Sequence, residues 1–125
     1  RLINSAVPKK FPKLRFGFIE TAASWVPWVI YELRRRLETV DRKLPDDLLE
    51  RYGIFVTCQI GDDISYLIKS CMGENTLMIG TDYGHADSST ELDALTTLKE
   101  SGGITPAMHK KIVEENPRAF YGLAQ

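Results

Sequence analysis

The sequence lacks the features that mark membrane, secreted and nucleic-acid-binding proteins. No apolar stretch approaches the ~20 residues that a membrane-spanning helix requires, and residues 1–4 show no charged-then-apolar targeting pattern. The net charge of −1 provides no positive field for nucleic acid or an anionic membrane. Only two cysteines are present, Cys58 and Cys71, and their separation matches no zinc or redox motif. We therefore expect reduced, buried thiols, a cytoplasmic location, and no nucleic-acid or membrane partner.

What the sequence does contain is an alternation of strand and helix patterns. Apolar and β-branched runs at residues 14–20, 54–58 and 77–81 predict three strands buried between helices. Helical spacing follows at residues 26–40, 64–71 and 92–98, and a last helix opens at residues 105–106. Such alternation with short connections is typical of right-handed βαβ units in a parallel sheet. The sequence therefore predicts a single α/β domain over residues 1–125.

Several helix starts carry side chains that commonly accept hydrogen bonds from the first turn. The expected caps are Ser24, either Asp62 or Asp63, Ser88 paired with Glu91 as a capping box, and Thr105 ahead of Pro106. The two adjacent aspartates also follow a strand, but we interpret them as caps rather than as catalytic groups.

Three strands are too few to cover themselves. A three-stranded sheet has two open edges, and flanking helices protect only its faces. The sequence also begins at Arg1 rather than at a methionine. We therefore expect the protein to begin upstream and its complete sheet to contain more strands. The exposed apolar surface of the isolated chain is expected to make it a homo-oligomer.

Polar residues follow each predicted strand, at the carboxyl ends where function gathers in parallel α/β folds. Asp82 directly follows a buried strand, and His85 lies three residues on. A carboxylate with an imidazole suits a divalent metal or a proton-transfer pair, although Asp82 also suits a turn in which it bonds the backbone. Glu20 ends the first strand. Its carboxylate is a general base, a hydrogen-bond acceptor for a residue that binds the metal, or a solvated group at the end of the strand. Trp25, nearby, is either a core residue or a substrate contact.

Three segments resemble the amidohydrolase-2 family, which includes the aminocarboxymuconate-semialdehyde decarboxylase relatives. Residues 77–85, Leu-Met-Ile-Gly-Thr-Asp-Tyr-Gly-His, resemble the family's last barrel strand, which ends in Gly-Ser-Asp-Tyr-Pro-His. Residues 11–16, running on to Glu20 and Trp25, resemble the sixth strand. Residues 104–106 and 112–123 resemble the closing helices and their Asn-Pro-x-x-x-Tyr/Phe-Gly-Leu ending. The resemblance covers essentially the whole chain. It implies the C-terminal part of a metal-dependent-hydrolase TIM barrel, about strands six to eight plus helices.

By this resemblance Asp82 binds or faces a catalytic divalent metal, for which zinc is the expected ion. Glu20 stands where many members carry a proton-transferring histidine, and His85 lies at the edge of the site. Gly84 replaces the usual proline. The family's His-x-His pair and a further histidine belong to strands that these 125 residues do not contain. We therefore expect the chain alone to be inactive and to hold no metal stably, because it falls short of a tight zinc site.

Three functional hypotheses follow. In the first, the chain is the C-terminal piece of a metal-dependent hydrolase or non-oxidative decarboxylase of a small carboxylated or ring-derived substrate, with Asp82 on the metal, Glu20 and His85 as catalytic groups, and Trp25 against the substrate. In the second, it is a catalytically inert domain that self-associates through its sheet edges. In the third, it is an open-sheet small-molecule binder that resembles half of a doubly wound fold, which leaves the three family-like segments unexplained.

Overall fold

The computed structural model describes residues 2–86, 90–100 and 103–123. The strands are β1 (Phe16–Phe18), β2 (Ile54–Cys58) and β3 (Leu77–Ile79). The helices are α1 (Val7–Lys10), α2 (Val26–Glu38), α3 (Leu48–Arg51), α4 (Ile64–Leu67), α5 (Ala94–Glu100), α6 (Pro106–Lys110) and α7 (Asn116–Tyr121), with a 3₁₀ turn at Leu2–Asn4 and π-helical turns at Ile68–Met72 and Lys111–Glu115. Within the described ranges, every helix is too short or too polar to cross a bilayer.

The three strands form a parallel sheet in the order β1-β2-β3. Phe18 pairs with Val56 at the end of the first ladder, and Thr57 pairs with Met78 in the second. Because each strand runs parallel to its neighbour and helices connect them, the βαβ arrangement predicted from the alternating pattern is confirmed. All three strands therefore end at the same edge of the sheet.

The two faces of the sheet differ in what covers them. The outer face, which carries Ile54, Val56 and Cys58, packs into the apolar core beneath the helices. The inner face carries Phe55 and Thr57, because successive side chains of a strand point to opposite sides. At the amino end of that face Phe120 of α7 packs against Phe55, with ring centroids 5.4 Å apart. The inner face is thus sealed by an aromatic pair at its amino end.

Strand β1 is shorter and more exposed than its sequence pattern predicted. It spans three residues rather than the seven of 14–20, and Leu14, Phe18 and Ile19 are 47%, 37% and 44% exposed. The prediction of a buried first strand is therefore wrong for this chain. The physical reason is cover rather than edge position alone: no described strand pairs with the open edge of β1, whereas β3, the other edge strand, packs against residues 111–121. Strand β2, which is central, is buried at all five positions.

Helix α2 forms because its apolar residues recur every three or four positions and Pro27 occupies the first turn, where an amide has no helical partner. Val26 and Ile30 are buried against the sheet, whereas Val40 lies beyond the helix and is 62% exposed. The prediction that Ser24 caps this helix is wrong. Trp25 occupies the cap position without a side-chain bond, and the Ser24 hydroxyl donates to Asp62 instead.

Two of the other predicted caps are confirmed. Asp63 accepts a hydrogen bond of 2.9 Å from the Tyr66 amide at the start of α4, and Thr105 accepts from the Met108 amide at the start of α6. The capping box proposed for Ser88 and Glu91 falls partly outside the described residues, since Ser88 is not among them.

Candidate metal centre

Glu20 is held at the carboxyl end of β1 by a neighbouring strand. Its φ of +58° lies in the left-handed region, which non-glycine residues rarely adopt. Its amide donates to Thr57 Oγ1 at 3.0 Å, and the same hydroxyl donates to the Phe18 carbonyl at 3.3 Å. Thr57 is 5% exposed, so these bonds are shielded from water. The chain therefore turns sharply away from the sheet at Glu20 on a fixed support.

Asp82 is the third residue after β3 and also has a left-handed backbone, with φ +49°. Its side chain is only 9% exposed, and Oδ2 lies 3.2 Å from Nδ1 of His85, whose side chain is 60% exposed. The Thr90 hydroxyl contacts the carbonyl oxygens of both residues, at 3.2 and 2.6 Å. The Thr90 hydroxyl thus links the first and last residues of the turn from Asp82 to His85.

Gly84 gives this turn a shape that proline forbids. Its φ is +98°, whereas proline is confined to about −65°. A proline at this position could not adopt the observed turn, across which the side chains of Asp82 and His85 meet.

The structure brings Glu20, Asp82 and His85 together. One potential ligand atom from each lies within 4.8 Å of the other two. Two carboxylates and one imidazole form a donor set that suits a divalent ion such as Zn²⁺, whose protein ligands sit at about 2.0–2.2 Å. Two ligands at that distance from one ion lie at most about 4.4 Å apart, which is close to the spacing found here. The donor set therefore fits the metal that the sequence resemblance implied.

The same arrangement also suits proton transfer. With its proton on Nδ1, His85 donates to the Asp82 carboxylate and leaves Nε2 as an acceptor at the open side of the cluster. An imidazole oriented by a carboxylate is a common general base. The cluster thus carries both chemistries that the sequence left open for Asp82.

Asp62 fixes the loop that follows Glu20. Its Oδ2 accepts from the amides of Ala23 and Gln59, at 2.9 and 3.0 Å, and its Oδ1 accepts from the Ser24 amide at 3.0 Å and from the Ser24 hydroxyl. One carboxylate thereby ties the loop after β1 to the loop after β2. The sequence interpretation of this residue as one of two alternative caps missed that role.

The described contacts of Trp25 are with residues outside the Glu20–Asp82–His85 cluster. Its ring meets Phe18 edge-on, with centroids 5.4 Å apart, and Nε1 donates to the Ala22 carbonyl at 3.0 Å. It lines an apolar cavity of about 250 Å³ between α2 and the outer face, together with Ile30 and Val56. Its proposed contact with a substrate stays a prediction. Trp28 is 66% exposed on α2.

Sequence reasoning missed Thr57 as a site residue. It is the one polar side chain in the strand Ile54–Cys58, and that polarity was the available signal. The signal is weak because threonine is a good strand former whatever its hydroxyl does. Cys58, the next residue, points to the opposite face, where burial raises the pKa of its thiol to about 12. It is therefore a core residue without nucleophilic character.

The chain is similar to known proteins in sequence and in fold. The chain matches the amidohydrolase family model over residues 1–123. It superposes on the crystal structure of an amidohydrolase from Mycobacterium avium subsp. paratuberculosis K-10 with a TM-score of 0.74 and 21% sequence identity, over 95% of this chain and 30% of that one. At that identity the likeness concerns the fold alone, and this chain spans less than a third of that protein. No curated protein sequence matches it. Because the family model covers nearly all of its length, the chain belongs to the amidohydrolase family.

Proposed function

We propose that this chain forms the last three βα units of an eight-stranded barrel and supplies one side of a metal-dependent catalytic site. The parallel sheet supports the proposal: no described residue pairs with either of its edges, and barrel neighbours would pair with both. The observation that carries it is the convergence of Glu20, Asp82 and His85, with ligand atoms within 4.8 Å, at the carboxyl ends of the strands. Catalytic groups of such barrels gather at that end.

In this proposal Asp82 holds the ion, and Glu20 and His85 contribute further donors or move protons beside it. Members of the family generally use divalent metals, and zinc fits a mixed oxygen and nitrogen donor set. A bound ion would lower the pKa of a water molecule and polarise a substrate oxygen. Asp82 is nearly buried at the turn, so its carboxylate is fixed in direction, while the exposed imidazole of His85 can meet solvent or substrate.

The substrate class is proposed from the resemblance to the decarboxylase-like group. We expect a small carboxylated or ring-derived molecule, which the full-length protein would either hydrolyse or decarboxylate without oxidation. Glu20 would act as the acid–base group in place of a histidine. Its backbone turn, supported by Thr57, aims that carboxylate toward Asp82 and His85. The chain by itself supplies too few ligands for tight binding or turnover.

A zinc titration followed by NMR of the imidazole signals tests the site. The chain has two histidines, and His109, whose Nε2 lies 3.2 Å from the Leu95 carbonyl, is an internal control beside two lysines. We expect the His85 signals to respond at a lower Zn²⁺ concentration than those of His109. In Asp82→Asn the two rings should respond alike. An unmutated chain in which both rings already respond alike would contradict the proposal.

Activity of the full-length protein provides a second test. Against a panel of small carboxylated and ring-derived compounds, Asp82→Asn is expected to reduce turnover by orders of magnitude, because removal of the ligand charge weakens both metal binding and activation. Circular dichroism should show an unchanged fold. Near-normal turnover would remove Asp82 from the metal site.

The second candidate function is an inert, self-associating domain, and the exposed apolar side chains favour it for the isolated chain. Phe11 and Leu14, which precede the edge strand β1, and Ile19, which follows it, are 51%, 47% and 44% exposed. Burial of such surface favours association at roughly 25 cal/mol per Å². Light scattering should therefore detect dimers or larger species. A well-folded monomer at high concentration would contradict this prediction.

A further inference from the structure

The hydroxyl of Thr57 stands where the backbone pairing of β1 and β2 ends. The last ladder pair is Phe18 with Val56. Beyond it β1 turns away, and the side chain of Thr57 takes over: it accepts from the Glu20 amide at 3.0 Å and donates to the Phe18 carbonyl at 3.3 Å. The Thr57 hydroxyl thus both donates and accepts a hydrogen bond, and its two partners are backbone groups on either side of the turn.

The turn needs such support because Glu20 adopts a φ of +58°. A non-glycine residue keeps this conformation only where its surroundings hold it there. The direction of the Glu20 side chain depends on the backbone conformation of Glu20, which the hydrogen bond from its amide to Thr57 holds in place. A change in the turn would therefore move the carboxylate relative to Asp82 and His85.

The space around Thr57 is fitted to its side chain. A methyl group at Gly80, the residue that directly follows β3, would lie 3.2 Å from Thr57 Cβ and 3.3 Å from its hydroxyl oxygen. Because Gly80 carries no side chain, Thr57 can keep its rotamer with both hydrogen bonds formed. Thr57 is also 5% exposed, so water does not readily replace those bonds.

We infer that Thr57 is a positioning residue, whose hydroxyl holds Glu20 in the turn that aims its carboxylate at the metal-binding cluster. The inference rests on the proposed function, since it assigns Thr57 a task only if Glu20 contributes to that cluster. Thr57 itself touches neither ion nor substrate. Its effect passes through the backbone of Glu20.

Two substitutions at this position separate the hydroxyl from the shape of the side chain. Thr57→Val keeps the volume and removes the hydroxyl, whereas Thr57→Ser keeps the hydroxyl. The matched control is Thr76→Val, which removes a hydroxyl that is equally buried, 1% exposed, and bonded to the Met72 carbonyl at 2.7 Å. Two readouts apply to each variant of the 125-residue chain: hydrogen exchange of the Glu20 amide, and the Zn²⁺ response of His85 relative to His109.

We expect Thr57→Val to speed exchange of the Glu20 amide and to weaken the Zn²⁺ response of His85 by about tenfold, the lower end of what loss of an outer-shell partner costs. Thr57→Ser should stay close to the unmutated chain. Thr76→Val should leave both readouts unchanged, because its hydroxyl lies at the other end of the sheet, ahead of β3.

The outcomes distinguish this inference from the proposed function. If Glu20→Gln weakens Zn²⁺ binding and Thr57→Val does not, the positioning role is overturned and the metal site stands. A loss in Thr57→Ser as large as that in Thr57→Val, or an equal loss in Thr76→Val, also overturns it. If neither Glu20→Gln nor Asp82→Asn changes the His85 response, the proposed function and the inference fall together.

Discussion

Asp62 and Asp63 are adjacent in sequence, yet replacement of each by asparagine should have very different effects on stability. Asp63 accepts one hydrogen bond, from the Tyr66 amide at the start of α4. Asp62 accepts from three backbone amides, those of Ala23, Ser24 and Gln59, and from the Ser24 hydroxyl. Asparagine is as good a helix cap as aspartate. It cannot, however, accept hydrogen bonds on both sides of its side chain.

The expected cost of Asp62→Asn follows from counting those bonds. The new amide group is best turned toward Ser24, whose hydroxyl can rotate to accept from it, but the Ser24 amide then has no acceptor. One partly exposed amide left unpaired costs roughly 1 kcal/mol. The two bonds that remain lose their ionic acceptor, at roughly 0.5 kcal/mol each. We expect a total loss of about 2 kcal/mol in the free energy of unfolding, against less than about 0.5 kcal/mol for Asp63→Asn.

Urea unfolding followed by circular dichroism measures both variants. With a typical slope near 2 kcal/mol per molar urea, Asp62→Asn should lower the midpoint by about 1 M. Asp63→Asn should lower it by no more than about a quarter of that. Equal midpoints for the two variants would refute the assignment of Asp62 as the tie between the two loops. Proteolysis at Ala23 should also become faster in Asp62→Asn, since that loop loses its anchor.

Three further substitutions or reactions test other parts of the fold. Asn116→Ala removes a 4% exposed side chain that donates to two carbonyl oxygens at 2.8 and 2.9 Å. Thermal unfolding should show that the free energy of unfolding falls by roughly 2–4 kcal/mol, and a fall of less than about 1 kcal/mol would contradict the prediction. Gly17→Ala places a methyl group 2.5 Å from the Phe120 ring; it should destabilise the chain by roughly 1–3 kcal/mol, and the loss should shrink when Phe120→Leu is added. At pH 8 a disulfide reagent should modify Cys71 well before Cys58, because burial raises the pKa of the Cys58 thiol to about 12 while Cys71 is only partly buried. Mass spectrometry of the native protein should find one label, and equal labelling of both cysteines would contradict the burial of Cys58.

The three strands and their parallel direction could be predicted from sequence because their apolar runs are short, distinct and separated by helical spacing. The meeting of Glu20 and Asp82 was predictable for the same reason, since parallel strands end at one edge. The family match then confirmed the amidohydrolase family to which the segments at residues 11–16, 77–85, 104–106 and 112–123 had pointed. In each case a repeating or positional pattern carried the information.

The supporting hydrogen bonds could not be predicted in this way. The partners of Thr57 lie 37 and 39 residues away in sequence, and those of Asp62 after β1 lie 38 and 39 residues away. No local pattern encodes such distant pairs. Ser24 is an example. Serine before a helix is a common cap, but here its hydroxyl donates to the Asp62 carboxylate instead of accepting from the first turn of α2. Local preference yields where tertiary geometry offers a charged acceptor.

The aromatic pair of Phe55 and Phe120 has a consequence for how this chain can change. It occupies the amino end of the inner face, whereas Glu20 and Asp82 stand at the carboxyl end. The contacts that hold α7 on the sheet and the Glu20–Asp82–His85 cluster therefore lie in separate parts of the sheet. Replacement of the loops after β1 and β3 should leave the contact between Phe55 and Phe120 intact. A chimera that keeps α7 and carries other loops at these positions should therefore keep the fold of the chain.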